Sequence, residues 1–518
     1  MKGAELLLNT LCENGVSVCF ANPGTSEMQF VSAVDRVAGM RCILALFEGS
    51  ATGAADGYGR MLDRPASTLL HLGPGLANGL SNLHNAFRAQ SPIVNIIGDH
   101  ATFHRALDAP LTSDIEGAAR PFCHWVRTAA TANGLGVDAV AAVAAARSSP
   151  GRIASLIVPA DLTWSEVPAH ITASRAEDFI VRPGRSADSA IETAAMMLQS
   201  GEPTAIILGG HATREHPLEV AGRIAASTGG RLFAATYTPR IARGAGRVPI
   251  ERIPFPVNQA IKTLADFSNI LLIGAKAPVA FFAYPDKPGS LYPSGARIHE
   301  LAGVSGDVTD ALEALAERLG ARTVPGVLAT LELPERPTGE ITPDKIGVLL
   351  AATLPTDAIV VDESITTGRN FLEATRGARP HDWLLPTGGS IGYALPVATG
   401  AAVACPDRKV VVLESDGSGL YMPQTLWTHA RESLNILTLV FANHRYQILR
   451  NEMKNVGAVR VGRKASDLLD IGRPNIDWVA LAKSFGVEAA RARSMEELSR
   501  LIDGGLASQG PNLIEVVL

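Results

Sequence analysis

Cysteine is scarce and scattered. The five thiols, Cys12, Cys19, Cys42, Cys123 and Cys405, are odd in number and form no Cys-x-x-Cys pair, which argues against a disulfide framework and a thiolate metal site and points to a reducing cytoplasm. Long hydrophobic runs are missing too. The longest uncharged apolar stretch, Ile391 to Cys405, falls short of the roughly 20 residues of a membrane span and contains Gly and Pro. The opening MKGAELLLNTLCENG breaks its short apolar run with Asn9 and Glu13, so neither an export signal nor a spanning segment is expected. Nor is there an excess of one charge: 46 basic and 51 acidic residues give −5 without blocks, which leaves no electrostatic footprint for nucleic acid or an anionic membrane.

Apolar material is plentiful. At 518 residues and 47% hydrophobic, the chain is too long for one core and too apolar for disorder, so two or three folded domains are expected. Strand-like runs alternate with helix-period segments at Ser67 to Leu72, Ile93 to Ile97, Ile153 to Val158, Thr204 to Leu208, Ile270 to Ile273, Lys409 to Leu413 and Ile436 to Phe441. That alternation signals the α/β class, parallel sheets covered by helices. Polar, Pro-punctuated stretches at Glu166 to Ser186 and Pro325 to Pro343 predict domains at about 1–165, 186–320 and 340–518. The outer two hint at duplication: Gly75 and Asp99, and Gly392 and Asp416, are each 24 residues apart around a Gly-rich turn, an apolar helix and a strand. Any strand-turn-helix-strand unit has about this length, so the spacing alone is no proof.

The richest segment for chemistry is ESDGSGLYMPQTLWTHARESLNILTLVFANHRYQIL. One strand ends in Asp416, Gly417 and Ser418, and the next ends in Asn443. In a parallel sheet both polar residues emerge at the carboxyl edge, where such sheets bind ligands. A carboxylate and an amide oxygen there, with Gly417 admitting close backbone approach, suit Mg²⁺ and a diphosphate. The same pattern also describes a turn Asp and a strand-end Asn acting as caps. Two further elements carry the same ambiguity. In ALFEGSATGAADGYGR, Glu48 closes an apolar strand ahead of a small-residue helix, Gly49 to Gly57; PTGGSIGYALP is a Gly-rich loop entering a helix.

Asp416-Gly-Ser, with 27 residues to Asn443, resembles the thiamine-diphosphate signature, although Ser415 and Ala442 stand where that signature has Gly and Asn. The resemblance runs over essentially the whole chain and implies three doubly wound domains: pyrimidine-binding, central and diphosphate-binding. It implies that Asp416, Asn443 and the Arg445 carbonyl hold Mg²⁺, with Gly417 and Ser418 at the diphosphate. Glu48 would bond the aminopyrimidine ring and promote formation of a C2 ylide. In the loop of Gly389, Ser390 and Ile391, the Gly389 carbonyl would meet the amino group and Ile391 would wedge the cofactor into its bent form. It also implies active sites between subunits, hence a homodimer or a dimer of dimers.

Within the family, FANPGTSEMQF and LLHLGPG resemble benzoylformate decarboxylase, which places Thr25 and His71 at the catalytic positions. An imidazole exchanges protons readily near neutral pH, so His71 is expected to protonate the enamine left by decarboxylation, though a structural His also fits the pattern. That relative has a second His in a segment similar to GAKAPVAFFAYPDKPG, where this chain has Phe282 and Ala283. Benzoylformate is therefore not assured as substrate, and the choice among straight, branched and aromatic 2-oxo acids stays open. Acetolactate synthase, which joins the enamine to a second 2-oxo acid, is the alternative. FAD, usual in that enzyme, is not expected, because ARIHEL lacks the acidic strand end of a nucleotide-binding half. His100 and His104 form either a cleft pair or a surface pair. A catalytically silent homologue is the remote alternative.

Overall fold

The computed structural model describes residues 1–168, 174–458 and 461–518; the predicted linker from Glu166 to Ser186 thus lies partly outside the described residues. Three parallel-dominated sheets are layered with helices. The first runs Arg41–Leu44, Val18–Ala21, Ala66–Leu70, Ile93–Asp99, Ile153–Pro159, Trp125–Thr128, all parallel. Its strands are apolar on both faces, as a sheet covered on both sides requires: Cys19, Leu69 and Ile96 feed one core, while Phe20, Leu70 and Ile97 feed the other. The third runs Glu488–Ala492, Asn512–Val517, Ile436–Ala442, Val410–Ser415, Ala358–Glu363, His381–Leu384. The central sheet has the strands Glu251–Arg252, Arg231–Ala234, Thr204–Leu208, Asn269–Ile273 and Arg297–Ala302, in that order and all parallel. Among the described residues no helix is long and apolar enough to cross a membrane.

Numbered from its own first strand, each outer sheet has the order 2-1-3-4-6-5. The duplication is real, but the equal Gly-to-Asp spacing matched the wrong units. Helix Leu72–Ala89 joins strands three and four of its sheet, whereas Ala394–Ala404 joins strands two and three. The true counterpart of Ala394–Ala404 is Glu48–Leu62, and the two pack face to face. A Cβ at Gly57 would stand 2.0 Å from the Val397 carbonyl oxygen, and one at Gly400 would stand 1.8 Å from that of Ala54. The small residues of the first helix therefore serve a helix contact so close that any added methyl must force the backbones apart.

The central domain is tied to both others by one ribbon. Its strand Arg240–Arg243 leaves the central sheet and pairs antiparallel with His381–Leu384 at the edge of the third sheet. Arg240 then bridges Asp382 at 3.0 Å and reaches the carbonyl of Met61 at 3.1 Å. No helix or strand lies between Arg318 and Pro343, so the Pro-rich segment connects without building a layer.

Candidate functional site

At the carboxyl edge of the first sheet, the strand Arg41–Leu44 stops short of Glu48, contrary to the sequence reading that Glu48 closes it. Three residues intervene, and Glu48 is the first residue of its helix. The carboxylate is buried, at 6% exposure, and accepts a hydrogen bond from Asn78 Nδ2 at 3.0 Å. His71 follows the strand Ala66–Leu70 and caps helix Leu72–Ala89. Leu72, the next residue, takes a left-handed backbone at φ 51° although it is fully buried. Such a conformation costs about 1–3 kcal/mol and persists only where packing enforces it. Gly75 leaves room for both acid and imidazole: its missing Cβ would lie 3.0 Å from Glu48 Oε1 and 3.4 Å from His71 Cβ. Thr25 is exposed in the turn that places Gly24 against the His71 ring.

Glu27, two residues beyond Thr25, was not singled out in the sequence, and it completes this cluster. Its Oε2 meets His71 Nδ1 at 2.8 Å and accepts the Gly24 amide at 2.7 Å, while Oε1 is buried without a partner among the described residues. Burial pushes the Glu27 carboxyl up, against the downward pull of the Gly24 amide and His71. Whichever group holds the shared proton, Nδ1 is occupied, and Nε2 is the nitrogen left for exchange.

The second cluster lies at the carboxyl edge of the third sheet. Val410–Ser415 ends one residue before Asp416, which opens a single turn through Gly417 and Ser418 to Gly419; Ile436–Ala442 ends one residue before Asn443. Both polar residues emerge at the same edge, as expected. Asp416 accepts the amides of Gly417 and His444, and Asn443 Oδ1 accepts the Arg445 amide at 3.1 Å. Burial pushes the Asp416 carboxyl up, only partly offset by those amides. A hard divalent cation would relieve that penalty, and a carboxylate, an amide oxygen and the Arg445 carbonyl are the donor types Mg²⁺ takes.

Beneath these elements lie two acids that the sequence reading passed over. Glu363 and Glu414 are register partners on adjacent strands, both fully buried. Glu363 accepts the amides of Gly392, Tyr393 and Ala394, each at 2.9 Å, which pins the Gly-rich loop. Glu414 holds the hydroxyl of Ser418 and the amide of Ser415, which pins the Asp416 turn. Burial, with the charge of Asp362 beside it, pushes Glu363 up to about 8, and burial with the charge of Glu363 pushes Glu414 well above its usual range. With three amides against one, Glu363 is the better seat for the charge and Glu414 for the proton. An acid inside an apolar strand was the available signal.

The Gly-rich loop is gripped from the first domain. His84 takes the Gly388 carbonyl at 3.1 Å and Asn85 takes that of Ser390 at 2.8 Å. Between them the Gly389 carbonyl has no partner among the described residues, and Gly389 has the left-handed φ of 79°. One free carbonyl between two occupied ones is what a cofactor's amino group would need, so the loop fits thiamine diphosphate. Gly389, Ser390 and Ile391 line a cavity of about 1360 Å³ between the central and third domains. Phe282, where a second His was sought, also lines it.

Neither cluster lines that cavity: Asp416, Gly417, Ser418 and Asn443 are not among its lining residues. Glu48, His71 and Thr25 do not line that cavity; the Glu48 helix instead meets Met422 and Thr425, with Ser50 Oγ 2.7 Å from Thr425 Oγ1. His100 and His104 pair with ring centroids 5.6 Å apart on the loop after Ile93–Asp99, also outside the cavity.

Comparison with known proteins supplies the family. Residues 1–116 match the model of the thiamine pyrophosphate enzyme N-terminal TPP binding domain, and residues 367–516 match that of the C-terminal TPP binding domain. A Mycobacterium tuberculosis protein, provisionally named acetolactate synthase large subunit IlvX, is 48% identical across 100% of this chain and 99% of its own. Benzoylformate decarboxylase of Pseudomonas aeruginosa is 28% identical across 98% of this chain and 97% of its own. In fold, a thiamine diphosphate-dependent 4-hydroxybenzoylformate decarboxylase from Rhodococcus jostii RHA1 superposes with TM-score 0.85 at 24% identity, covering 99% of this chain and 98% of that one. Domain order, duplicated sheets and full-length likeness agree: the chain belongs to the thiamine pyrophosphate enzymes, as a thiamine diphosphate-dependent enzyme related to benzoylformate decarboxylase and acetolactate synthase.

Proposed function

We propose that the protein is a thiamine diphosphate- and Mg²⁺-dependent 2-oxo acid decarboxylase and carboligase of the benzoylformate decarboxylase type, cytoplasmic and at least a homodimer. The observation that carries this reading is the Glu27–His71 pair beside Glu48, which places a proton-exchanging nitrogen next to a buried acid. The cofactor, when bound, supplies a nucleophilic carbon and an electron sink. Asp416, Asn443 and the Arg445 carbonyl would hold Mg²⁺, and Gly417 and Ser418 would flank the diphosphate. The Gly389 carbonyl and Ile391 would orient the rings, an orientation effect. Glu48 would hold a proton toward the pyrimidine nitrogen, oriented by Asn78. His71 Nε2, with Nδ1 fixed by Glu27, would return a proton to the carbon that loses carbon dioxide. Thr25 would face the substrate in the same turn. As the resemblance to the family implies, each active site would combine the first domain of one copy with the third domain of another.

The second reading, an acetolactate synthase-like carboligase, is favoured by the name of the 48% identical relative. The ratio of aldehyde to ligation product from several 2-oxo acids decides between the two. For a decarboxylase, His71→Ala lowers aldehyde release by roughly 10² or more while ligation to an added acceptor survives better. An unchanged ratio removes His71 from this role, and acetolactate as sole product from pyruvate in the wild type establishes the second reading.

A further inference from the structure

The cavity beside Gly389 is larger than a small 2-oxo acid requires; about 1360 Å³ exceeds the roughly 300–1,000 Å³ of ordinary small-molecule sites. Its far wall belongs to the central domain, and its charged groups are unequally partnered. Four acids line the cavity, and all are engaged: Glu251 by Arg231, Glu373 by Arg376, Asp362 by Ser364 and Trp383, and Glu363 by three backbone amides. Arg252, on the short edge strand Glu251–Arg252, also lines it and has no ion-pair or hydrogen-bond partner among the described residues. Desolvation makes that guanidinium easier to deprotonate than usual, and the nearby charge of Asp362, which makes no ion pair with it, offsets this only in part. The Tyr237 hydroxyl on the same wall is buried and makes no hydrogen bond among the described residues. Arg369, exposed and on the same cavity, adds a second uncommitted positive charge.

Aromatic rings connect this wall to the Gly-rich loop. Tyr237 packs on Phe281 with centroids 5.4 Å apart, and Phe281 sits so close to Gly389 that a Cβ there would lie 2.5 Å from the ring. The cavity thus has the expected cofactor loop at one end, an apolar middle, and an unpaired arginine with an unpaired phenol at the other. A buried polar group without a partner calls for an explanation, and a ligand oxygen reaching both the Tyr237 hydroxyl and the half-buried Arg252 would supply one. We propose that Arg252 and Tyr237 form an anion subsite that selects 2-oxo acids bearing a second carboxylate at the far end of an aliphatic chain. The inference rests on the proposed 2-oxo acid chemistry, whose substrate class it names.

The test uses the full-length protein incubated with thiamine diphosphate and Mg²⁺, and two readouts. Calorimetric titration compares glutarate with pentanoate, two non-reacting acids of equal length; turnover compares 2-oxoadipate with 2-oxohexanoate. The subsite predicts a preference for the dicarboxylic member of at least roughly tenfold in both, as expected for a charge-assisted hydrogen bond. Arg252→Leu should erase most of that preference, and Arg252→Lys should restore part of it. Equal affinity of the wild type for glutarate and pentanoate overturns the subsite even if the variants fail to fold. So does AMP binding more tightly than glutarate, which would assign the wall to a nucleotide. Turnover of 2-oxo acids without the dicarboxylate preference sinks the subsite and leaves the proposed reaction standing. A glutarate preference without turnover of any 2-oxo acid does the reverse.

Discussion

The first and third domains share one strand order, and they spend its carboxyl edge on opposite tasks. After strand three, the first domain places His71 and the third places Asp416. After strand two, the first domain opens a helix on Glu48, whereas the third lays down the loop of Gly389 and Ile391 before its helix. In both domains a buried acid from the end of strand one or the loop after it secures a neighbouring functional element: Glu27 holds His71, and Glu363 holds the Gly-rich loop. The comparison teaches that the fold fixes where side chains emerge and leaves their chemistry free. On the proposed reading, the first domain offers a proton-handling edge and the third an oxygen-ligand edge.

The strongest way to break this division is at the metal. Asp416→Ala should abolish Mg²⁺-dependent cofactor binding, and calorimetric titration of thiamine diphosphate with and without chelator reads the loss directly. Equal affinity in both conditions in the native protein would count against an oxygen-ligand edge. The pH dependence sharpens the point: the buried Asp416 carboxyl is shifted up, so Mg²⁺ affinity should fall on acidification earlier than a solvated aspartate would dictate.

At the opposite edge, Glu48→Gln should keep the fold and lower turnover by roughly 10² to 10⁴, the effect of losing a positioned proton donor. Near-normal turnover would strip that edge of its proton-handling role. The smallest effect concerns the acids beneath the loop. Because Glu363 and Glu414 are shifted up, the folded state retains protons that the unfolded chain loses. Stability should therefore fall as pH rises from about 4.5, the ordinary glutamate range, toward about 8, where Glu363 titrates. Glu414→Gln, which keeps the shape and removes a titration, should flatten that decline in thermal melts across the same range; an unaltered slope would show that the pair does not control it.

Much of the arrangement was readable before the structure. Thr204–Leu208 matches its predicted bounds, and the other apolar runs lie within a few residues of real strands, because buried parallel strands leave continuous apolar runs. Asp416 and Asn443 emerge together because strand ends follow from the same pattern. What escaped needed long-range contact. Glu27 lies in a segment read for Thr25, yet its partner His71 is 44 residues away. Arg240–Arg243, an ordinary central-domain segment by composition, joins a strand about 140 residues later. Arg252 and Tyr237 are distinguished by partners they lack, and no local pattern records an absence.

The central claim, that each active site pairs the edge of one copy with the cavity of another, is tested most directly by complementation. Glu48→Gln and Asp416→Ala chains, each inactive alone, are mixed, dissociated and reassembled. If sites form between copies, half of randomly paired dimers carry one intact site of two, and activity should return to roughly a quarter of the wild-type level. If both clusters of a site came from one chain, every site would carry a substitution, and no recovery would be seen.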